Sequence, residues 1–336
     1  HRDLHSFPTR RSSDLLDLYN QAKYDESIAL WNEVLRYNSM LDLAYRGKGL
    51  GEMMNENYAA ALELFWIARD QANYSEAFWE LRNLWMIEHG ALLFWVVFAM
   101  IALIVLFPFA NKKWHLIPYL KTKLSVVSRV VLLKETLYFF RFLSHPADTC
   151  YEIKAHKRIR MRSAWLYLFL LFGLYLLGIV LTGFIFNPYI PEETILIKEA
   201  LVIVLPILLF IVSNYLMSSL MEGEGTFQAT FTTTIGSLTP VFILYPIAIV
   251  LSNMLSYSEG FLYSMTLFLM AGWVVILLFF VIKETQNYTV GQTFINLLLS
   301  FLTMVVLIVV LLMVYLMIAQ VFNFSSDIIK ELILRE

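Results

Sequence analysis

From residue 91 onward, long apolar runs alternate with very short polar joins. Six runs are long enough to cross a bilayer: Ala91–Phe109, Ala164–Phe186, Glu199–Leu220, Thr234–Leu255, Ser264–Ile282 and Phe294–Gln320. The shortest have 19 residues, enough at ~1.5 Å per residue to cover ~30 Å of hydrocarbon. None carries a charge away from its ends. The pattern predicts six spanning helices. Roughly ninety residues precede the first run, which argues against a cleaved leader there.

Upstream of the spans the rhythm changes. Within Leu15–His89, Tyr24 and Tyr58 stand 34 residues apart, as do Trp31 and Phe65, and Tyr45 and Trp79. A fixed period of this length predicts stacked helical hairpins. Ala61, Phe65 and Ala68 follow the i, i+4, i+7 spacing of one helix face. The pattern resembles the tetratricopeptide repeat, in which small residues let two helices approach and a bulky one fills the gap. That resemblance puts Tyr45 and Gly49 on a first helix, and Tyr58, Ala61, Phe65 and Ala68 on a second. Glu52 departs from it where an aromatic is usual, and Asn73 stands in place of the customary proline. An earlier copy keeps only its second helix, Tyr24–Leu35, and a third begins near Asn73 and runs into the first span. The bland reading makes these aromatics the core of a helical array; the sharper one adds a groove for a protein partner. Residues 1–14 stand apart, because Phe7–Leu15 (FPTRRSSDL) resembles a translated sequencing adapter. They are expected to be an unstructured artefact, with the true start of the gene lying upstream.

Composition sharpens this division. The chain is 59% hydrophobic and 15% charged, against about 45–50% and about 25% in soluble domains. Its single cysteine, Cys150, excludes an internal disulfide and a Cys-based zinc site. Charge is segregated by sign. Residues 15–89 carry 6 Lys/Arg against 12 Asp/Glu, whereas residues 110–163 hold 12 of the 25 basic residues against Glu135, Asp148 and Glu152. Such a block resists transfer across an energised bilayer and is drawn to anionic inner-leaflet lipid, so it is expected in the cytoplasm. The repeats, the loops Asn187–Lys198 and Ser256–Tyr263, and the tail Val321–Glu336 then face outward, across a cell (plasma) membrane.

Within the basic block, Leu124–Leu143 is too charged to span but strongly apolar. It is expected to lie along the inner surface, with Arg129, Lys134 and Arg141 near headgroups and Tyr138, Phe139 and Phe140 dipping inward. A nucleic-acid or GTPase-binding patch is the alternative, and proximity to the bilayer favours lipid. His145–Pro146 then stops the helix, and Tyr151, Ile153, Lys154, Lys157 and Arg158 follow before the next span. These residues resemble the "HP…(F/Y)x(I/L)K…KR" segment of the Yip family, the membrane proteins named for interaction with Ypt/Rab GTPases. The chain departs from bacterial members, which often continue with Gly-Ser, by having Ile159 and Arg160. A second matching segment is Glu222–Phe227 (Glu222, Gly223, Glu224, Gly225 and Phe227 among it), followed by Pro240 and Pro246. The resemblance covers roughly residues 137–320 and implies a five-span bundle entered from the cytoplasm.

The combined expectation is an all-α chain: tetratricopeptide-like hairpins (15–90), an anchor span (91–109), a basic cytoplasmic or interfacial segment (110–163), five Yip-like spans (164–320) and a tail (321–336). Gly223 and Gly225 are expected to allow a tight turn, and Pro240 and Pro246 to kink their helix. Asn214 can hydrogen-bond across helices, while Glu199, Asn253 and Gln320 lie near span ends, where interfacial water would meet them. Cys150 is a candidate for acylation, although a lone cysteine is more often unmodified. No zinc-protease, serine-protease, Walker or dinucleotide motif occurs, so no enzyme, cofactor or metal is expected. The favoured function is a non-catalytic membrane scaffold or adaptor whose repeats bind a protein partner and whose bundle contacts anionic lipid or membrane proteins. No nucleic acid is expected, and homo-oligomerisation stays open. A transport component and an unrecognised lipid-handling enzyme are the alternatives.

Overall fold

The computed structural model describes residues 18–114, 131–156, 158–187 and 195–334. The adapter-like residues 1–14, residues 115–130 of the basic block with Lys121, Lys123 and Arg129, and Lys157 lie outside them. The described chain is helical throughout its regular elements, and six helical segments are long and apolar enough to cross a membrane. The fold is therefore an all-α polytopic bundle preceded by helical hairpins.

The hairpins are built from α1 (Tyr24–Tyr37), α2 (Asp42–Met54), α3 (Tyr58–Ile67) and the start of α4 (Gln71–Trp114). Tyr24 and Tyr58 each open a helix, so the 34-residue period marks equivalent helix starts. Trp31 and Phe65 are buried, and each sits against a glycine of α2. A Cβ on Gly47 would lie 2.2 Å from the Trp31 ring, and one on Gly49 would lie 2.7 Å from Phe65. These approaches require glycine for room, since neither residue has a left-handed backbone. Ala61 is fully buried beside Phe65 and Ala77. Ala68 follows the last residue of α3 and is only half-buried, because the chain turns there through Arg69 in the left-handed region (φ 53°). Tyr45 is also half-buried, and its hydroxyl donates to the Ser39 carbonyl (3.0 Å). The departures from the repeat pattern have local uses. Glu52 accepts from Asn57, and Asp70 caps α4 by accepting from the backbone and side chain of Asn73 (3.2 and 2.6 Å).

The helix α4 continues without interruption from the last hairpin into the first span. Its first three turns are tied to two turns further along the chain. Gln71 Nε2 donates to the carbonyls of Phe184 and Asn187 (2.9 and 3.0 Å), and Ser75 Oγ accepts from the Tyr257 amide (2.8 Å). Arg82 forms a forked pair with Glu259 (2.6 and 2.8 Å) and also donates to the Met254 carbonyl. A bidentate guanidinium–carboxylate contact fixes orientation as well as distance.

The remaining spans are α7 (Met161–Leu181), α8 (Leu196–Leu220), a broken span made of α9 (Phe227–Gly236) and α10 (Thr239–Ser252), α11 (Gly260–Gln286) and α12 (Val290–Leu334). Before them come α5 (Val131–Tyr138), a 3-10 turn at Phe139–Leu143 and α6 (Pro146–His156). Three expectations change here. The fourth span does not begin at Thr234: the Thr-rich α9 forms its first half, so the preceding loop shrinks to residues 221–226. The helix α12 runs on to Leu334, where a tail was expected from Val321. Phe139 does not dip toward lipid; with Phe142 it is fully buried, stacked 4.3 Å from Tyr167.

Candidate functional site

The two motif segments meet. Pro146 is the first residue of α6, where its missing N–H costs no helical bond. The His145 carbonyl starts the helix by accepting from the Thr149 amide and hydroxyl. This places Cys150 and Ile153 on the buried face of α6, in the bundle core. Lys154, next in sequence, reaches Glu224 of the second motif at 2.7 Å. Glu224 also accepts from Asn287 (3.1 Å). Both contacts favour the carboxylate, and the Lys154 hydrogen bond, the largest cause, holds Glu224 below the usual carboxylate range.

Gln286, which nothing in the sequence singled out, organises this turn. It is 2% exposed, its Oε1 accepts from the Gly225 amide (2.8 Å), and its Nε2 donates to Thr230 (3.0 Å). A Cβ on Gly223 or Gly225 would lie 2.5 or 2.7 Å from the Gln286 side-chain amide. The glycines therefore make room, and the left-handed residue of the turn is Glu222 (φ 58°). Phe227 opens α9 and packs edge-on to Tyr215 (5.2 Å).

A second charged group lies beside α6. Glu152 accepts from Tyr138 and from Arg141 (2.9 Å), and Arg158 approaches it at 3.7 Å. The Tyr138 hydrogen bond, with the two guanidinium groups, lowers the Glu152 carboxyl below its ordinary range. Arg141 is thus committed to protein contacts. Glu135 is drawn in two directions: burial raises its pKa, but bonds from Ser163 and Arg160 prevail and lower it. Arg141, Tyr151, Glu152, His156 and Arg158 line an open depression of about 400 Å³. Tyr151 is 65% exposed. Cys150 is 1% exposed, and burial pushes its thiol up to about 12. A thiol so enclosed is closed to acylation.

Pro240 and Pro246 act differently from each other. Pro240 falls at the second position of α10, where it begins a half-helix after the break at 237–238. Pro246 lies inside α10. The break is closed by hydroxyls: Ser237 donates to the Thr234 carbonyl, Thr239 to the Gly236 carbonyl, and Tyr167 to Thr239 (3.0 Å). Ala229–Gly236 are all buried, so α9 is a polar helix enclosed by protein. Asn214 bonds across helices as expected, to Asn296 (2.7 Å) and Ser300 (3.2 Å). Asn253 is exposed and donates to the Leu181 carbonyl (2.8 Å), whereas Glu199 is 5% exposed, away from the interfacial water expected at its span end.

Chemically, the meeting of the motifs is a network of satisfied ion pairs and amides. Among the described residues no group of His, Cys, Asp or Glu is arranged to hold a metal ion. No curated protein and no solved structure matches the chain. The family model of the Yip1 domain matches residues 140–323. That interval contains both motif segments, the Lys154–Glu224 contact between them and the five later spans, and it covers more than half of the chain, which belongs to the Yip1 domain family of multi-pass membrane proteins.

Proposed function

We propose that this protein is a non-catalytic scaffold in a cell membrane. Its acidic, tetratricopeptide-like hairpins recruit a protein partner outside the cytoplasm, and its Yip bundle organises membrane proteins or lipids. The observation that carries this reading is α4, which is at once the last hairpin helix and the first span. Gln71, Ser75 and Arg82 lock it to the turns at 184–187 and 254–259. A partner bound to the hairpins would therefore be held beside these two turns and the span that α4 becomes, as an adaptor requires. The motif residues support the same reading, because Lys154, Glu224 and Gly225 are engaged in holding the fold together. The cationic segment 110–163 is assigned to the cytoplasmic leaflet, where exposed Leu137 and Phe140 meet acyl chains and basic side chains meet anionic headgroups.

Photocrosslinking tests the adaptor role. A photoreactive amino acid at Met40 (88% exposed) or Trp66 (48% exposed) should yield one recurrent protein adduct in cells. Phe65→Ala should abolish that adduct while leaving the spans inserted. Adducts with lipid alone from every hairpin position would refute the reading. The enclosed polar helix α9 favours one alternative, a transport component, because broken spans line solute sites in many transporters. Solute flux in proteoliposomes holding this protein alone would support that alternative.

A further inference from the structure

Glu199 is the one acidic or basic side chain that is buried among the described residues, at 5% exposure. It lies in the first turn of a membrane-spanning helix, α8. A carboxylate out of water is costly unless a cation or several donors compensate it. Its described partner is neutral: Tyr175 donates its hydroxyl at 2.7 Å. Tyr175 is also a wall of a half-open cavity of about 190 Å³ lined from α7, α8, α10 and α11. Ile203, another wall, lies one turn past Glu199 on the same face of α8. The backbone positions of Glu199 and Ile203 are therefore ~6 Å apart along the helix axis.

The lining is aliphatic apart from the rings of Phe172, Tyr175 and Tyr245. An apolar cavity of ~150 Å³ already stays dry and accepts benzene. Ring faces attract cations, and a buried acid beside them calls for positive charge. We propose that Glu199 and this cavity form a binding site for a lipophilic amine. The apolar body enters the cavity, and the protonated nitrogen meets Glu199 and the Tyr175 hydroxyl. A phospholipid headgroup is disfavoured, because the cavity walls offer no cation to its phosphate. The proposal is independent of the adaptor reading.

Benzylamine, benzyl alcohol and toluene serve as probes on the full-length protein in neutral phosphatidylcholine nanodiscs, with the thermal midpoint followed against concentration. Benzylamine should raise the midpoint saturably, with at least about tenfold tighter binding than benzyl alcohol (about 1.4 kcal/mol). Glu199→Gln should erase that preference while toluene still binds. Tyr175→Phe should weaken it. The carbon-13 methyl signal of Met270, a cavity wall, should shift with benzylamine, and this reading needs no variant that could fail to fold. Equal binding of amine and alcohol, an amine preference that survives Glu199→Gln, or an unmoved Met270 signal at saturation would each overturn the proposal.

Discussion

Gln286 occupies the space that a side chain on Gly223 or Gly225 would need. Gly225→Ala should therefore destabilise the protein by about 1–3 kcal/mol, the usual cost of overpacking. Equilibrium unfolding in detergent would measure it, and Gln286→Ala in the same chain should relieve part of the loss. The neighbouring Lys154–Glu224 pair gives a pH signature. Because Glu224 is held below the ordinary carboxylate range, its contribution is fully present above about pH 5 and is lost as pH falls through its depressed pKa. Glu224→Gln should flatten that part of the acid limb of a stability–pH curve; a limb identical to wild type would contradict the pairing. The motif residues were legible in the sequence, but their reasons were not. Glycines next to glutamates suggest a tight turn, whereas the need for room there comes from Gln286, 61 residues beyond Gly225. Spacing along the chain carries no trace of such a contact.

Among elements, the broken span α9–α10 shows where hydropathy stops being informative. Thr230, Thr232, Thr233 and Thr234 lower the average so far that the sequence reads α9 as loop. Protein encloses the helix on all sides; Thr233 folds its hydroxyl back onto the Ala229 carbonyl (2.7 Å) and Thr230 accepts from Gln286 (3.0 Å). The same blindness affects Glu199, whose place near a span end suggests water although neighbouring chain covers it. By contrast, Asn214 was legible, since an amide inside a span seeks a partner on another helix. Thr239→Val removes the acceptor of the Tyr167 hydroxyl and should cost about 1–3 kcal/mol. Asn214→Leu should cost only ~0.6 kcal/mol, and at most ~2 kcal/mol. Thermal unfolding of both variants tests this order, and a reversed order would mean that the break is not held by Thr239.

For the molecule as a whole, six spans and the 34-residue period could be read directly, because both are repeated patterns of burial. The continuity of α4 across hairpin and membrane was anticipated from the third repeat copy, but its fastening to Phe184, Asn187, Tyr257 and Glu259 was not. Arg82→Ala leaves Glu259 without its cation and should loosen that fastening, which hydrogen exchange over residues 71–82 would register as faster exchange. Above this stands the sidedness proposed from the charge distribution, on which the adaptor reading depends. The direct measurement is cysteine accessibility, made feasible because the native Cys150 is buried. A membrane-impermeant maleimide should label Met40→Cys in intact, wall-stripped cells and label Tyr151→Cys only after permeabilisation. Labelling of Tyr151→Cys, but not Met40→Cys, in intact cells would invert the topology and contradict the account.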